Sequence, residues 1–167
     1  MLRNKKTKGF TLIELLVVIA IIGLLASIVL VSLNTARAKA RDVRRIGDLR
    51  QIALALEMYY DDNTATGYPG DTEAVTCDDW LAMAVAIEGG VGYMTQVPYD
   101  PSTLKTTCNV ATPPAACYQY NAGANLADYV LRAQLEQGTN QALNGDVDIT
   151  TFGCACDDAT RYYCIQP

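Results

Sequence analysis

The chain has 167 residues, a formal net charge of −5, six cysteines and no histidine. That length leaves room for one ordinary domain beside an N-terminal segment. With no histidine and no evident nucleophile–base pair, the chain reads as not an enzyme.

Charge is distributed unevenly along it. Residues 1–9 carry +4 and residues 37–50 another +4, whereas from Gln51 onward three cations oppose fifteen acids, giving −12. Such an acidic region argues against nucleic-acid binding, which needs clustered Lys and Arg. A solvated acidic face that keeps a secreted domain soluble is the plainer reading.

Residues 1–9 form a basic leader (Arg3, Lys5, Lys6, Lys8, no acid), a targeting segment set aside from fold reasoning. Behind it, Leu15 to Ala36 is an uncharged run of 22 residues, and a helix of ~20 apolar residues spans a bilayer. No A-x-A-like cleavage site follows this run; the small residue, Gly9, precedes it. Cleavage there would leave the apolar segment on the mature chain as an anchor. Glu14 sits just inside the apolar edge. An ionised carboxylate costs roughly 2.5–3.5 kcal/mol at the centre of a membrane helix and less near its edge. Glu14 is therefore a functional candidate, set against the simpler role of a first-turn acid in the helix dipole.

Past Asn34, the residues Val43, Ile46, Leu49, Ile52, Leu56 and Tyr59 or Tyr60 recur at three- and four-residue spacing. No proline occurs between Phe10 and Tyr68. The pattern predicts one helix from about Phe10 to Tyr60, on the order of 75 Å long at 1.5 Å per residue. It is apolar all round over residues 10–36 and amphipathic over residues 37–62.

Asp61-Asp62-Asn63 with Gly67, Pro69 and Gly70 ends this helix and opens a head spanning residues 63–167. Asp78-Asp79 before Trp80, Leu81, Ala84, Val85 and Ile87 predicts a short helix stopped at Gly89-Gly90, its acids placed for the helix dipole. Tyr93 to Pro101 reads as an extended loop, because its prolines restrict the residues before them. Strands are predicted at residues 117–120, 128–135 and 161–165, with turn chemistry at Asn121-Ala122-Gly123. The fold class is α+β, with a small antiparallel sheet lying on the second half of the long helix.

All six cysteines lie in the head. An even number points to disulfides in an oxidising compartment, and the lack of any C-x-x-C pair speaks against a thiolate metal site. Cys108 and Cys117 flank a short Pro113-Pro114 loop and are the first pair expected. Cys154 or Cys156 with Cys164 comes second, leaving Cys77 to take the other. Asp146 and Asp148 after Asn144-Gly145, with Asp157-Asp158 nearby, offer oxygens for Ca²⁺. The plainer reading there is a turn with solvated aspartates, and no other cofactor is indicated.

The stretch Lys8-Gly9-Phe10-Thr11-Leu12-Ile13-Glu14, running into an apolar helix, resembles the N-terminus of type IV pilins and type II secretion pseudopilins. Leu49 to Tyr60 with Asp61-Asp62-Asn63 and Tyr68-Pro69, then Val97-Pro98-Tyr99-Asp100-Pro101, resembles the major-pseudopilin branch. The resemblance implies cleavage between Gly9 and Phe10 by a prepilin peptidase and N-methylation of Phe10. It implies a single-pass precursor in the cytoplasmic (inner) membrane with its N-terminus inside. From there an assembly platform and ATPase would build a homo-oligomeric helical filament, at the cell surface or in the periplasm. It also implies a calcium site in a late loop. Where the family commonly has a helix-bending proline, this chain has Val31, which predicts a straighter rod.

On that resemblance, cleavage creates a cation, the Phe10 α-amine, that Glu14 can meet on its own chain at i,i+4 or on an arriving neighbour. Gly9, small and flexible, lets a protease approach the backbone. The basic segment 37–50 is either a solvated helix face or a contact for nucleic acid, anionic lipid or, chiefly, the acidic heads of adjacent subunits. The leading reading is a pilin. A pseudopilin of a type II secretion or DNA-uptake system stands second, and a membrane-tethered binding module is the alternative from another class.

Overall fold

The computed structural model describes residues 9–70, 77–89, 92–108 and 116–167. Helix α1 runs from Leu12 to Asp62, 51 residues, passing through Gly23, Val31 and Gly47 without a break. Contacts divide the chain into two units, Met1–Arg37 and Ala38–Pro167. Within the first, the side chains of α1 that face outward are Leu, Ile and Val on every side. It is long and apolar enough to cross a membrane and is not buried by protein.

The second unit begins with the remainder of α1. One stripe of that half, Leu49, Ile52, Ala55 and Leu56, is buried. The helix stops where Asn63 turns back, its Nδ2 donating to the Tyr59 carbonyl at 2.9 Å. Gly67 follows at φ +80°, and a Cβ there would lie 2.2 Å from the Leu126 carbonyl oxygen, so only glycine fits. Tyr68 N–H then donates to that same oxygen at 2.7 Å, tying the helix exit to the sheet.

Helix α2 spans Trp80–Glu88, and a single turn, α3, spans Lys105–Cys108. Strands β1 (Gln119–Ala122), β2 (Tyr129–Gln134) and β3 (Tyr162–Ile165) form an antiparallel sheet in the order β1-β2-β3. The register pairs Tyr120 with Leu131 and Arg132 with Cys164. A 3₁₀ turn, Gln141–Gly145, and a bridge between Thr151 and Cys154 lie in the long β2–β3 connection. The sequence signal did not foretell α3, the 3₁₀ turn or the bridge, all too short to show a period.

Side-chain alternation sends the two faces of the sheet into different cores. Tyr118, Tyr120, Tyr129, Leu131, Ala133 and Tyr163 pack with α1 and with Trp80, Met83 and Ile87 of α2. On the other face Val130, Tyr162 and Cys164 pack with Cys154, Cys156, Val147 and Phe152. The sequence predicted the first layer. The second arises because residues 146–157 fold over the opposite face, giving β2 an almost unbroken run of buried residues.

Two of the three disulfides stitch this outer layer, and the third closes the loop before β1. Cys77 pairs with Cys154, Cys108 with Cys117 and Cys156 with Cys164, at Cα separations of 4.9, 5.5 and 5.9 Å. No cysteine is free. Arg132, buried on the same face, donates to Gln119 Oε1 and to the Ala155 carbonyl, and its guanidinium lies 4.2 Å from the Tyr162 ring centre. A cation over an aromatic face is attracted by the ring's quadrupole.

Asp79 stands at the start of α2, where its charge was expected to suit the helix dipole. It precedes α2 but makes no side-chain cap on that helix. Its Oδ2 accepts instead from Ala122 N–H at 3.3 Å, and its own N–H donates to the Tyr120 carbonyl at 3.1 Å. The carboxylate serves the edge of β1, where an unpaired N–H would cost more than an exposed helix end.

Candidate functional site

At the N-terminal end, Thr11 and Glu14 clasp each other. Thr11 N–H and Oγ1 donate to Glu14 Oε2 at 2.8 and 2.7 Å, and Glu14 N–H donates to Thr11 Oγ1 at 3.3 Å. This is a capping box, Thr and Glu three residues apart satisfying each other's backbone donors at a helix start. It was written in the sequence as T-x-x-E. The carboxylate is thus held by hydrogen bonds, and no cation lies against it among the described residues. Phe10 is 87% exposed, on the same end of the helix. Gly9 is exposed too, and a Cβ added to it would meet nothing within 4 Å. The packing of this chain therefore does not demand glycine there, so any demand must come from what approaches from outside.

The second site lies at the base of the head and was not foreseen. Arg45, only 3% exposed, reaches three carboxylates. Its Nε and Nη2 donate to the two oxygens of Asp100 at 2.6 and 3.1 Å, and its Nη1 donates to Asp42 at 2.8 Å and Glu136 at 2.9 Å. Arg41 adds a fork onto Glu136, both bonds 2.6 Å. Asp42 in turn accepts the backbone N–H groups of Glu136 and Gln137, and Ser102 Oγ donates to Asp100. The network joins three segments distant in sequence: α1, the loop at residues 100–102, and the end of β2.

Its electrostatics follow from these contacts. Hydrogen bonds from Arg41 pull Glu136 down to about 2, overcoming partial burial, with Arg45 adding to the shift. Burial works against ionisation of Asp100, but hydrogen bonds from Arg45 and Ser102 outweigh it and leave its pKa below the ordinary value. Burial also opposes the charge on Arg45, yet its bonds to Asp100 and Glu136 hold it more firmly protonated than usual. So of the cations in the segment 37–50, Arg45 is internal and Arg41 is half-buried and paired within the chain. Arg44 is an exposed partner of Asp48 at 3.6 Å, while Arg37, Lys39 and Arg50 are exposed. The signals that could have shown the network were Asp42 and Arg45 at i,i+3 and the Asp between two prolines at residues 98–101.

A third cluster gathers Asp146, Asp148 and Asp158, with one oxygen of each within 4.8 Å of the others. Asp148 and Asp158 are exposed, but Asp146 is half-buried, contrary to a simple solvated turn. Its Oδ2 accepts Cys164 N–H at 2.8 Å, closing the outer edge of β3, while Oδ1 is buried without a partner among the described residues. Burial pushes the Asp146 pKa up, against the Cys164 bond, and the charges of Asp148 and Asp158 add to the rise. Three hard oxygens with one orphaned and buried fit a divalent cation of the calcium type. Asp157, also considered from sequence, instead accepts Thr160 N–H.

A protein-free apolar helix behind a Gly–Phe step, joined to a small disulfide-bonded α+β head, defines the pilin class. The first residues match the model of the prokaryotic N-terminal methylation motif over residues 4–30. Over 101 residues the chain is 38% identical to type II secretion system core protein G of Escherichia coli (strain K12), covering 58% of this chain and 67% of that one. The corresponding protein of Vibrio cholerae is 34% identical over 111 residues, 60% and 69% of the two chains. A probable minor fimbrial protein of Dichelobacter nodosus is 40% identical over 85 residues, 51% and 52%. No solved structure matches. The chain belongs to the type IV pilin and type II secretion pseudopilin family.

Proposed function

We propose that the chain is a structural, non-catalytic subunit of a type IV pilus-like filament, held in the membrane as a precursor, cut between Gly9 and Phe10, and methylated at Phe10. The observation that carries this is the first half of α1: apolar on every side, unburied, with Glu14 its lone charge. Such a surface needs lipid or other helices around it. Lipid shelters it before assembly and copies of the same helix shelter it afterwards.

Glu14 supplies registration. In the precursor its carboxylate is held by Thr11. Cleavage frees the Phe10 amine, and an unpaired charge in hydrocarbon is costly enough to make subunit acceptance depend on bringing amine and carboxylate together. The partners implied are a prepilin peptidase, an assembly platform and its ATPase, and further copies of the chain.

The head contributes a second contact. Val43, Leu54 and Met58 are exposed on one face of α1, with Lys39 and Arg50 within 60° of Val43 and Leu54 at 100° per residue. An apolar stripe rimmed by cations suits the acidic head of another copy. Asp146, Asp148 and Asp158 would hold Ca²⁺ beside β3, where the ion neutralises their mutual repulsion and fixes residues 146–148 on the sheet edge.

The deciding experiment is Glu14→Ala in cells. Mass spectrometry should still find a processed, methylated Phe10, while filaments vanish from sheared or periplasmic fractions. Normal filaments would reject the charge-matching role, and an uncut N-terminus in the parent would reject the processing class. For the cation, added calcium should raise the melting temperature of the parent and not of Asp148→Asn; equal responses would remove this site.

A further inference from the structure

The asparagines of the described structure differ in how firmly their side chains are held. Asn63 Nδ2 donates to the Tyr59 carbonyl and Asn121 Nδ2 to the Phe152 carbonyl, at 2.9 and 2.7 Å. Asn125 Oδ1 accepts Ala127 N–H and Asn140 Oδ1 accepts Ala142 N–H, at 3.2 and 3.1 Å. Asn34 lies within α1. Asn144 is exposed, and its side-chain amide has no hydrogen-bond partner among the described residues. It is followed by Gly145, where an added Cβ would meet nothing within 4 Å.

We propose that Asn144 is a site of spontaneous deamidation, converting to aspartate and isoaspartate as the protein ages. The Gly145 backbone nitrogen attacks Cγ of Asn144. A C–N bond forms, the bond from Cγ to the side-chain nitrogen breaks, and ammonia leaves with the proton that the Gly145 nitrogen gives up. Water then opens the cyclic imide at either carbonyl. In balance, one amide and one water become one carboxylic acid and one ammonia, with no change of oxidation state.

Three local features favour the step at this asparagine. Glycine leaves the attacking nitrogen unshielded and allows the backbone to reach the cyclising conformation at little cost. The pair stands at the end of a five-residue 3₁₀ turn, whose hydrogen-bond geometry is poor and whose last residues fray readily. No side-chain bond has to break to bring the amide carbon forward, as it would at Asn125 or Asn140.

The next residue gives the reaction a consequence. Asp146 closes the β3 edge through Cys164 N–H and stands in the cluster with Asp148 and Asp158. Either product adds a negative charge beside three existing carboxylates. Isoaspartate also lengthens the main chain by one carbon just ahead of Asp146, moving it off the Cys164 amide. Conversion therefore loosens residues 146–148 from the sheet edge.

The test is incubation of the full-length purified protein in detergent at neutral and mildly alkaline pH, followed by digestion and mass spectrometry. The Asn144 peptide should gain the mass of an amide-to-acid conversion, and become a substrate for isoaspartyl methyltransferase, several-fold faster than the Asn125 and Asn140 peptides. Gly145→Ala should slow it to their level without unfolding the head, since φ at residue 145 is not positive and the space is open. An Asn144 that keeps its amide as long as Asn140, or a Gly145→Ala protein that converts as fast as the parent, overturns the proposal. An unchanged melting temperature after complete conversion overturns its structural consequence.

Discussion

The two halves of α1 share one backbone geometry and obey opposite rules. Between Leu12 and Ala36 no side chain of the helix is buried; between Asp42 and Leu56 seven are, four apolar and three charged. The first half has no stripe, as suits the apolar surroundings proposed for it, whereas the second has a narrow stripe because one face is core and the other water. Its charged residues at the stripe's upstream end are tolerated because each meets an opposite charge or a backbone donor. Helix length and apolarity are thus properties of surroundings, and a continuous helix need not have a continuous reason for existing.

Breaking the buried charge network should give the largest effect. Removing one partner of a buried pair costs about 3–5 kcal/mol because its counter-charges stay behind unpaired. Arg45→Met leaves Asp42 and Asp100, 0% and 1% exposed, without their cation. Denaturant unfolding of the head in detergent should show that loss, and adding Asp42→Asn and Asp100→Asn should restore part of it. A loss no larger than that of Arg44→Met, an exposed neighbour, would make the network ornamental.

A matched truncation compares the halves directly. Leu56 is fully buried and Leu24 is 65% exposed. Leu56→Ala should cost the head about 2–5 kcal/mol in transfer and cavity terms. Leu24→Ala should leave head unfolding within about 0.5 kcal/mol, as exposed substitutions do. Equal losses would mean that the two halves are not distinguished by what surrounds them.

These contrasts also mark what the residues disclose in advance. The helix and the approximate places of the three strands were legible because period and spacing are local, although β1 runs through Asn121 and Ala122, where a turn was expected. The capping box went unread, though Thr11 and Glu14 announce a helix start without any knowledge of the fold. Arg45 was legible only as a basic residue in a basic segment, because Asp100 and Glu136 arrive from 55 and 91 residues away. The same applies to the second core. Cys108 and Cys117 are close in sequence, and the structure bonds them, but Cys77 finds Cys154 across a separation of 77 residues. Asp79 shows a subtler limit, since its place at the start of α2 was legible but its bond to Ala122 N–H on β1 was not.

The smallest effect concerns pH, and it too separates the halves. Glu136 has its pKa drawn from 4.5 to about 2 by Arg41 and Arg45. A carboxylate whose folded pKa is depressed stabilises the fold fully above its unfolded value and loses that contribution as pH falls through the folded one. The window therefore runs from 4.5 down to about 2, and Asp100, also lowered, acts in the same direction. Because the Glu136 side chain is 33% exposed, solvent screening limits its share to about 1 kcal/mol or less. Glu136→Gln should lower head stability slightly at pH 7 and flatten its decline on acidification. Membrane partitioning of the first half should be unchanged by Glu136→Gln at any pH in that window. A variant whose acid decline is as steep as the parent's would place the acid sensitivity in other carboxylates, with Asp100 the first to examine.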